Sequence, residues 1–219
     1  MAEKKDLYFS ILNPKQLRLL KKLKFLKKYG FYLAGGTALA LQICHRTSVD
    51  FDFYTVKKFD SRKLREEFDK RFKEVQEIYI AEDTLCLSVN DVGISFFRYP
   101  YKVIRPLREI EGINLTSLED IAAMKILAIS QRGRRRDFID IYFLIKKFGL
   151  AQIIEFVKEK YPMFNIYVGL QGLTYFKDAD DDPEKKRFRL IKDVPFGKFK
   201  KFILKDVYNY KKFYLKEDE

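Results

Sequence analysis

The chain of 219 residues carries 44 Lys+Arg against 31 Asp+Glu, a formal charge of +13, and 47% of its residues are hydrophobic. That is apolar material enough for one sizeable domain or two small ones, which excludes a chain too polar to fold. The excess of positive charge points to a polyanionic partner, nucleic acid ahead of a membrane surface.

Asn13 and Pro14 open a helix in which Leu17, Leu20, Leu23 and Leu26 form an apolar stripe among lysines, ended by Tyr29 and Gly30. Phe31 to Ala34 reads as a short buried strand, followed by a Gly35–Gly36–Thr37 turn and an apolar helix from about Thr37 to Cys44. Val49 to Tyr54 alternates and is predicted as a strand. Asp60 and Ser61 cap a charged helix over about Arg62 to Phe72. Strands are predicted over Glu74–Ile80, Thr84–Val89 and Val92–Arg98, the last two joined at Asn90–Asp91, a tight-turn pair.

A proline-bearing connector runs from Pro100 to Asn114, and Thr116 and Ser117 stand at capping-box spacing from Glu119 and Asp120. Helices are predicted over Ile121–Gln131, Arg136–Phe148 and Ala151–Lys160. The tail from Tyr161 reads as mixed and mainly helical, with an acidic loop at 178–182. The expected architecture is an α/β (α+β) part over residues 1–115 and a mainly helical part over 116–219.

Cys44 and Cys86 sit in apolar runs without metal-ligand spacing and read as small core residues of a reducing compartment. The first residues offer no apolar segment of signal length, and no run approaches the roughly 18–20 apolar residues that cross a bilayer. A cytoplasmic protein with no membrane partner is expected.

Two features carry chemistry. A glycine turn at the mouth of a helix lets successive N–H groups approach a phosphate, and Thr37 adds a hydroxyl there. Asp50 and Asp52 lie two apart on a strand, so both carboxylates face one way while Val49, Phe51 and Phe53 face the other. Like charges that close repel unless a cation sits with them, and Mg2+ (or Mn2+) takes carboxylate oxygens together with substrate phosphates. The pattern points to chemistry on a nucleoside triphosphate.

Gly35–Gly36–Thr37, followed after twelve residues by Asp50 to Phe53, resembles the first motif of the DNA polymerase β-like nucleotidyltransferase superfamily. The fuller strings, Leu33–Leu41 and His45–Tyr54, are similar to the AbiEii toxin family within it. Leu118–Lys125, Arg132–Tyr142 and Leu173–Ala179 resemble further motifs of that family, in the same order. The resemblance implies a mixed β-sheet nucleotidyltransferase core with an appended helical part. It also implies transfer of a nucleotide from an NTP, in some members to the acceptor end of tRNA, and a DNA-binding antitoxin as partner.

Carried onto this chain, Gly35, Gly36 and Thr37 hold the triphosphate, with Arg46 and Ser48 as further nucleotide contacts. Asp50 and Asp52 hold the metal and act in catalysis, Lys125 matches a phosphate-contacting lysine, and Asp137 matches an acid of the third motif. Arg134, Arg135 and Arg136 are candidates for gripping an RNA backbone. Polymerase-like enzymes commonly carry a third carboxylate on a later strand. Here that strand reads Val92 to Tyr99, with Ser95 in the candidate slot and no acid between Asp91 and Glu109. Transfer to a protein hydroxyl, and a catalytically silent fold that binds nucleic acid or antitoxin, are the alternative readings.

Overall fold

The structure is a computed structural model that describes residues 7–215. By its internal contacts the chain divides into two compact units, residues 1–117 and 118–219.

The first unit is built on a seven-stranded mixed sheet. Its strands are β1 (Tyr32–Ala34), β2 (Phe51–Thr55), β3 (Val75–Ala81), β4 (Thr84–Val89), β5 (Val92–Arg98), β6 (Arg108–Ile110) and β7 (Ile113–Leu115), in the order β3-β4-β5-β2-β1-β7-β6. β2 runs parallel to β5 and antiparallel to β1, and β1 runs parallel to β7. Strict alternation gives β2, β4 and β5 one buried face, with Phe51, Phe53, Leu85, Leu87, Ile94 and Phe96 all 1% exposed or less. Phe68 and Phe31 pack their rings on Phe96 and so close that side. The other face carries Asp52, Ser95 and Cys86 in one register line across β2, β5 and β4.

Helices α1 (Pro14–Leu20), α2 (Gly35–Ile43) and α3 (Ser61–Asp69) complete the unit. Asn13 and Gln16 form the reciprocal cap of α1, and Asp60 accepts from the N–H groups of Arg62 and Lys63 at the start of α3. The predicted single helix over Pro14–Tyr29 is in fact α1 followed by a 3-10 segment, Leu23–Tyr29, that ends at Gly30 in the left-handed region. Leu23 and Leu26 are three apart, which a 3-10 turn aligns on one side, and both are fully buried. Asn90 and Asp91 both have positive φ and form the expected hairpin turn between β4 and β5. The connector after Pro100 contains the hairpin β6–β7 around Glu111 and Gly112, and β7 extends the sheet beside β1. Cys44 is half-buried rather than a core residue: it ends α2 in the left-handed region. Cys86 is half-buried as well, on the open face of β4.

The second unit is helical: α4 (Leu118–Gln131), α5 (Arg135–Phe148), α6 (Leu150–Lys160), α7 (Ile166–Thr174), the short α8 (Lys177–Asp180) and α9 (Phe196–Tyr210). α4 packs on α5, α6 and α7, and α9 closes against α5, α6 and α7. Tyr142 of α5 sits edge-on between Phe199 and Phe202 of α9. The amino group of Lys160 meets Asp120 at 2.7 Å, both side chains fully buried, which ties α6 to α4.

Candidate active site

In the first unit, β1 ends at Ala34 and α2 begins at Gly35, whose φ of +65° only glycine adopts without strain. Gly35 and Gly36 are half-buried in the first turn of α2. No side chain caps this helix start and no acid stands in its first turn. The leading N–H groups of a helix are the donors to which a phosphate binds.

Asp52 pairs in register with Ala34 on one side and with Ser95 on the other, and Asp50 precedes the strand on the same face. Both aspartates lie over glycines. A Cβ on Gly35 would stand 3.0 Å from Asp52 Oδ2, and a Cβ on Gly93 would stand 2.6 Å from Asp50 Oδ1. The space for both carboxylates thus comes from missing side chains on the flanking elements. Gly93→Ala tests this. The clash is with the movable end of Asp50, so stability should fall by no more than about 1 kcal/mol in urea denaturation. Any reaction that uses the Asp50 carboxylate should fall roughly 100-fold, because a displacement of about 1 Å at a reacting centre has that scale of effect.

Thr37 is buried, 1% exposed, and its hydroxyl donates to the Asp50 carbonyl while lying 2.6 Å from the Ser48 hydroxyl. Gln16 Nε2 donates to the Ser48 carbonyl at 3.0 Å. These residues hold the main chain that presents Asp50, so Thr37 and Ser48 reach the site through that aspartate. Arg46 is also buried, and its guanidinium donates to the Thr47 carbonyl at 3.0 Å. Two half-buried carboxylates are oxygen donors of the kind Mg2+ or Mn2+ takes. Among the described residues no third His, Cys, Asp or Glu joins them, and Ser95 occupies the strand position facing Asp52.

In the second unit, Lys125 of α4 meets Asp137 Oδ1 at 2.6 Å and Asp140 Oδ2 at 2.7 Å, both on α5. The other oxygen of Asp137 accepts from the Arg134 N–H at the head of α5. Asp140 is fully buried and was not among the predicted site residues. Its signal was the three-residue spacing from Asp137, which puts both carboxylates on one helical face.

The three arginines separate. Arg134 and Arg136 pair with Glu184 at 2.5 and 3.4 Å, and Arg187 adds a third contact at 2.7 Å. Arg135 instead lies over the ring of Phe196, 4.2 Å from its centre. Burial pushes the Glu184 carboxyl up, but the Arg187 hydrogen bond and the charges of Arg134, Arg136 and Arg187 outweigh it and hold it below the usual carboxylate range. A lowered folded value means stabilisation that is present above the ordinary glutamate range and lost as pH falls through the folded value. Glu184→Gln should therefore cost about 1 kcal/mol at pH 7. Chemical denaturation should show the difference from the unsubstituted protein shrinking as pH falls below the ordinary glutamate range.

The family model of the nucleotidyl transferase AbiEii toxin of type IV toxin–antitoxin systems matches residues 18–110 and 91–208. An uncharacterized protein of Aquifex aeolicus is 40% identical over 158 residues, 69% of this chain and 76% of that one. The crystal structure of JHP933 from Helicobacter pylori superposes with a TM-score of 0.60 at 18% identity, covering 96% of both chains. The nucleotidyltransferase toxin MenT4 of Mycobacterium tuberculosis gives 0.51 at 14% identity, covering 93% of this chain and 83% of that one. The mixed sheet with its helical part is a nucleotidyltransferase fold. The chain belongs to the AbiEii family of nucleotidyltransferase toxins.

Proposed function

We propose that the open sheet face of the first unit transfers a nucleotide from an NTP to the 3′-hydroxyl of an RNA acceptor, with tRNA the first candidate. The observation that carries the reading is the pair Asp50 and Asp52, set over Gly93 and Gly35 beside an uncapped helix start. The α2 N–H groups at Gly35 and Gly36 receive the triphosphate. Asp50 and Asp52 would hold Mg2+ or Mn2+, which when bound neutralises phosphate charge and acidifies the attacking hydroxyl. The acceptor oxygen forms a bond to the α-phosphorus, the bond from that phosphorus to the bridging oxygen breaks, and pyrophosphate leaves. We assign the proton of the attacking hydroxyl to the Asp50–Asp52 pair, the carboxylates of the same sheet face. Lys125 stands as the framework cation of the second unit; contact with phosphate requires it to exchange a carboxylate for a phosphate oxygen.

The charge of +13 favours RNA over a protein acceptor. Each α-labelled NTP incubated with the protein and total RNA decides the point. Label that ribonuclease removes supports an RNA acceptor. Label that stays in protein after ribonuclease supports transfer to a protein hydroxyl, the alternative reading. NTP binding without any label supports a silent fold. The family description makes an antitoxin the expected partner, and we propose a DNA-binding protein for that role.

No helix among the described residues is long and apolar enough to cross a membrane. We place the protein's action in the cytoplasm, where NTPs and RNA are at hand.

A further inference from the structure

In the second unit a cavity of ≈ 930 Å³ opens between the head of α5, the segment 185–195 and the head of α9. Its size lies at the upper end of the roughly 300–1,000 Å³ usual for ligand sites, more than a single small ion needs. Arg135, Lys185, Lys186 and Arg189 line it, against a single acid, Asp193. The wider stretch 184–201 repeats the bias, with eight Lys or Arg and two acids. Phe188 and Phe196 lie among the cations. This combination favours a ligand with both negative charge and flat rings over a purely acidic one.

Arg135 is the key residue. Cation–π contact with Phe196 holds its guanidinium in place without neutralising it, whereas Arg134 and Arg136 on either side are paired with Glu184. The wall is also fixed beforehand. Buried Asp182 accepts from the N–H of Arg135 at 3.0 Å and from that of Glu184 at 2.9 Å, which fastens the start of the 185–195 segment to α5.

We propose that this groove docks a single-stranded segment of RNA, with phosphates on Lys185, Lys186 and Arg189 and a base beside the Arg135–Phe196 pair. The proposal rests on the RNA-acceptor reading above, but it concerns binding, which does not require transfer.

The test is fluorescence anisotropy of a labelled 12-nucleotide single-stranded RNA, without NTP or divalent ion, on the full chain carrying Asp52→Asn so that no transfer intervenes. The triple substitution Lys185→Ala, Lys186→Ala, Arg189→Ala should weaken binding at least 10-fold. It should also flatten the log K against log [salt] slope by about 2, since each lost phosphate contact on a single strand contributes about 0.7. A control triple that removes equal charge from exposed positions outside the groove, Lys201→Ala, Lys205→Ala and Lys212→Ala, should lose markedly less. Circular dichroism of each variant checks the fold, and Arg135→Lys, which keeps the charge, should lose several-fold through weaker stacking. Equal losses from both triples would mean diffuse charge and would overturn the groove. Competition by polyglutamate as strong as by unlabelled RNA would assign the surface to an acidic protein instead. Failure here with labelled transfer intact removes the groove alone; loss of transfer with binding intact removes only the catalytic reading.

Discussion

Asp52→Asn should lower nucleotide transfer by at least about 10³-fold, roughly 4 kcal/mol of transition-state stabilisation, while the protein stays folded. The side chain faces outward from the middle of the sheet, between Ala34 and Ser95, and contributes nothing to the buried face formed by Phe51 and Phe53. Asparagine keeps the size of the side chain and its hydrogen-bonding capacity, so without ligand the thermal midpoint should stay within a few degrees. A residue kept for packing would behave in the opposite way, with a lower midpoint and activity lost in proportion. Steady-state transfer rates and scanning calorimetry on the same preparations separate the two. Undiminished transfer would remove Asp52 from the reaction.

The second large effect lies in the other unit. Lys125→Met keeps the length of the side chain but removes the ammonium that Asp137 and Asp140 share. Two carboxylates, their side chains 11% and 0% exposed, then face each other without a counter-charge. Breaking a buried pair from one side costs about 3–5 kcal/mol. In a helical unit of this size that lowers the thermal midpoint by more than about 10 °C. Adding Asp140→Asn should recover part of the loss, because the uncompensated charge and not the missing amine is the main cost. A midpoint within a degree or two of the unsubstituted protein would show that the lysine is not held by these carboxylates in solution.

Much of this was legible in the sequence, for local reasons. The period-two alternation around Asp50 and Asp52, the Asn90–Asp91 turn and the Asp60 cap act over a few residues, and each stands where the pattern put it. Two kinds of feature were not. β6 and β7 are three residues long, too short for alternation to distinguish them from a connector; pairing of β7 with β1 makes them strands. The partners of Lys125 lie 12 and 15 residues along the chain on a neighbouring helix, so only helix packing shows that it ends between carboxylates. Gly93 belongs to both kinds. Its signal was a small residue on the open face of a strand, but its purpose depends on a carboxylate from a strand distant in sequence. Thr37 shows the reverse: its position in the motif suggested a phosphate donor, and its hydroxyl is spent on the Asp50 carbonyl.

The central claim is that the sheet face bearing Asp50 and Asp52 moves a nucleotide from an NTP to another molecule. It is tested most directly by measuring incorporated label and released pyrophosphate in one reaction, for the unsubstituted protein and for Asp52→Asn, with total RNA and Mg2+ present. The account predicts one pyrophosphate per nucleotide incorporated, label that ribonuclease removes, and loss of both signals together in the variant. Neither label nor pyrophosphate from the unsubstituted protein with any of the four NTPs, or equal signals from the variant, would contradict it.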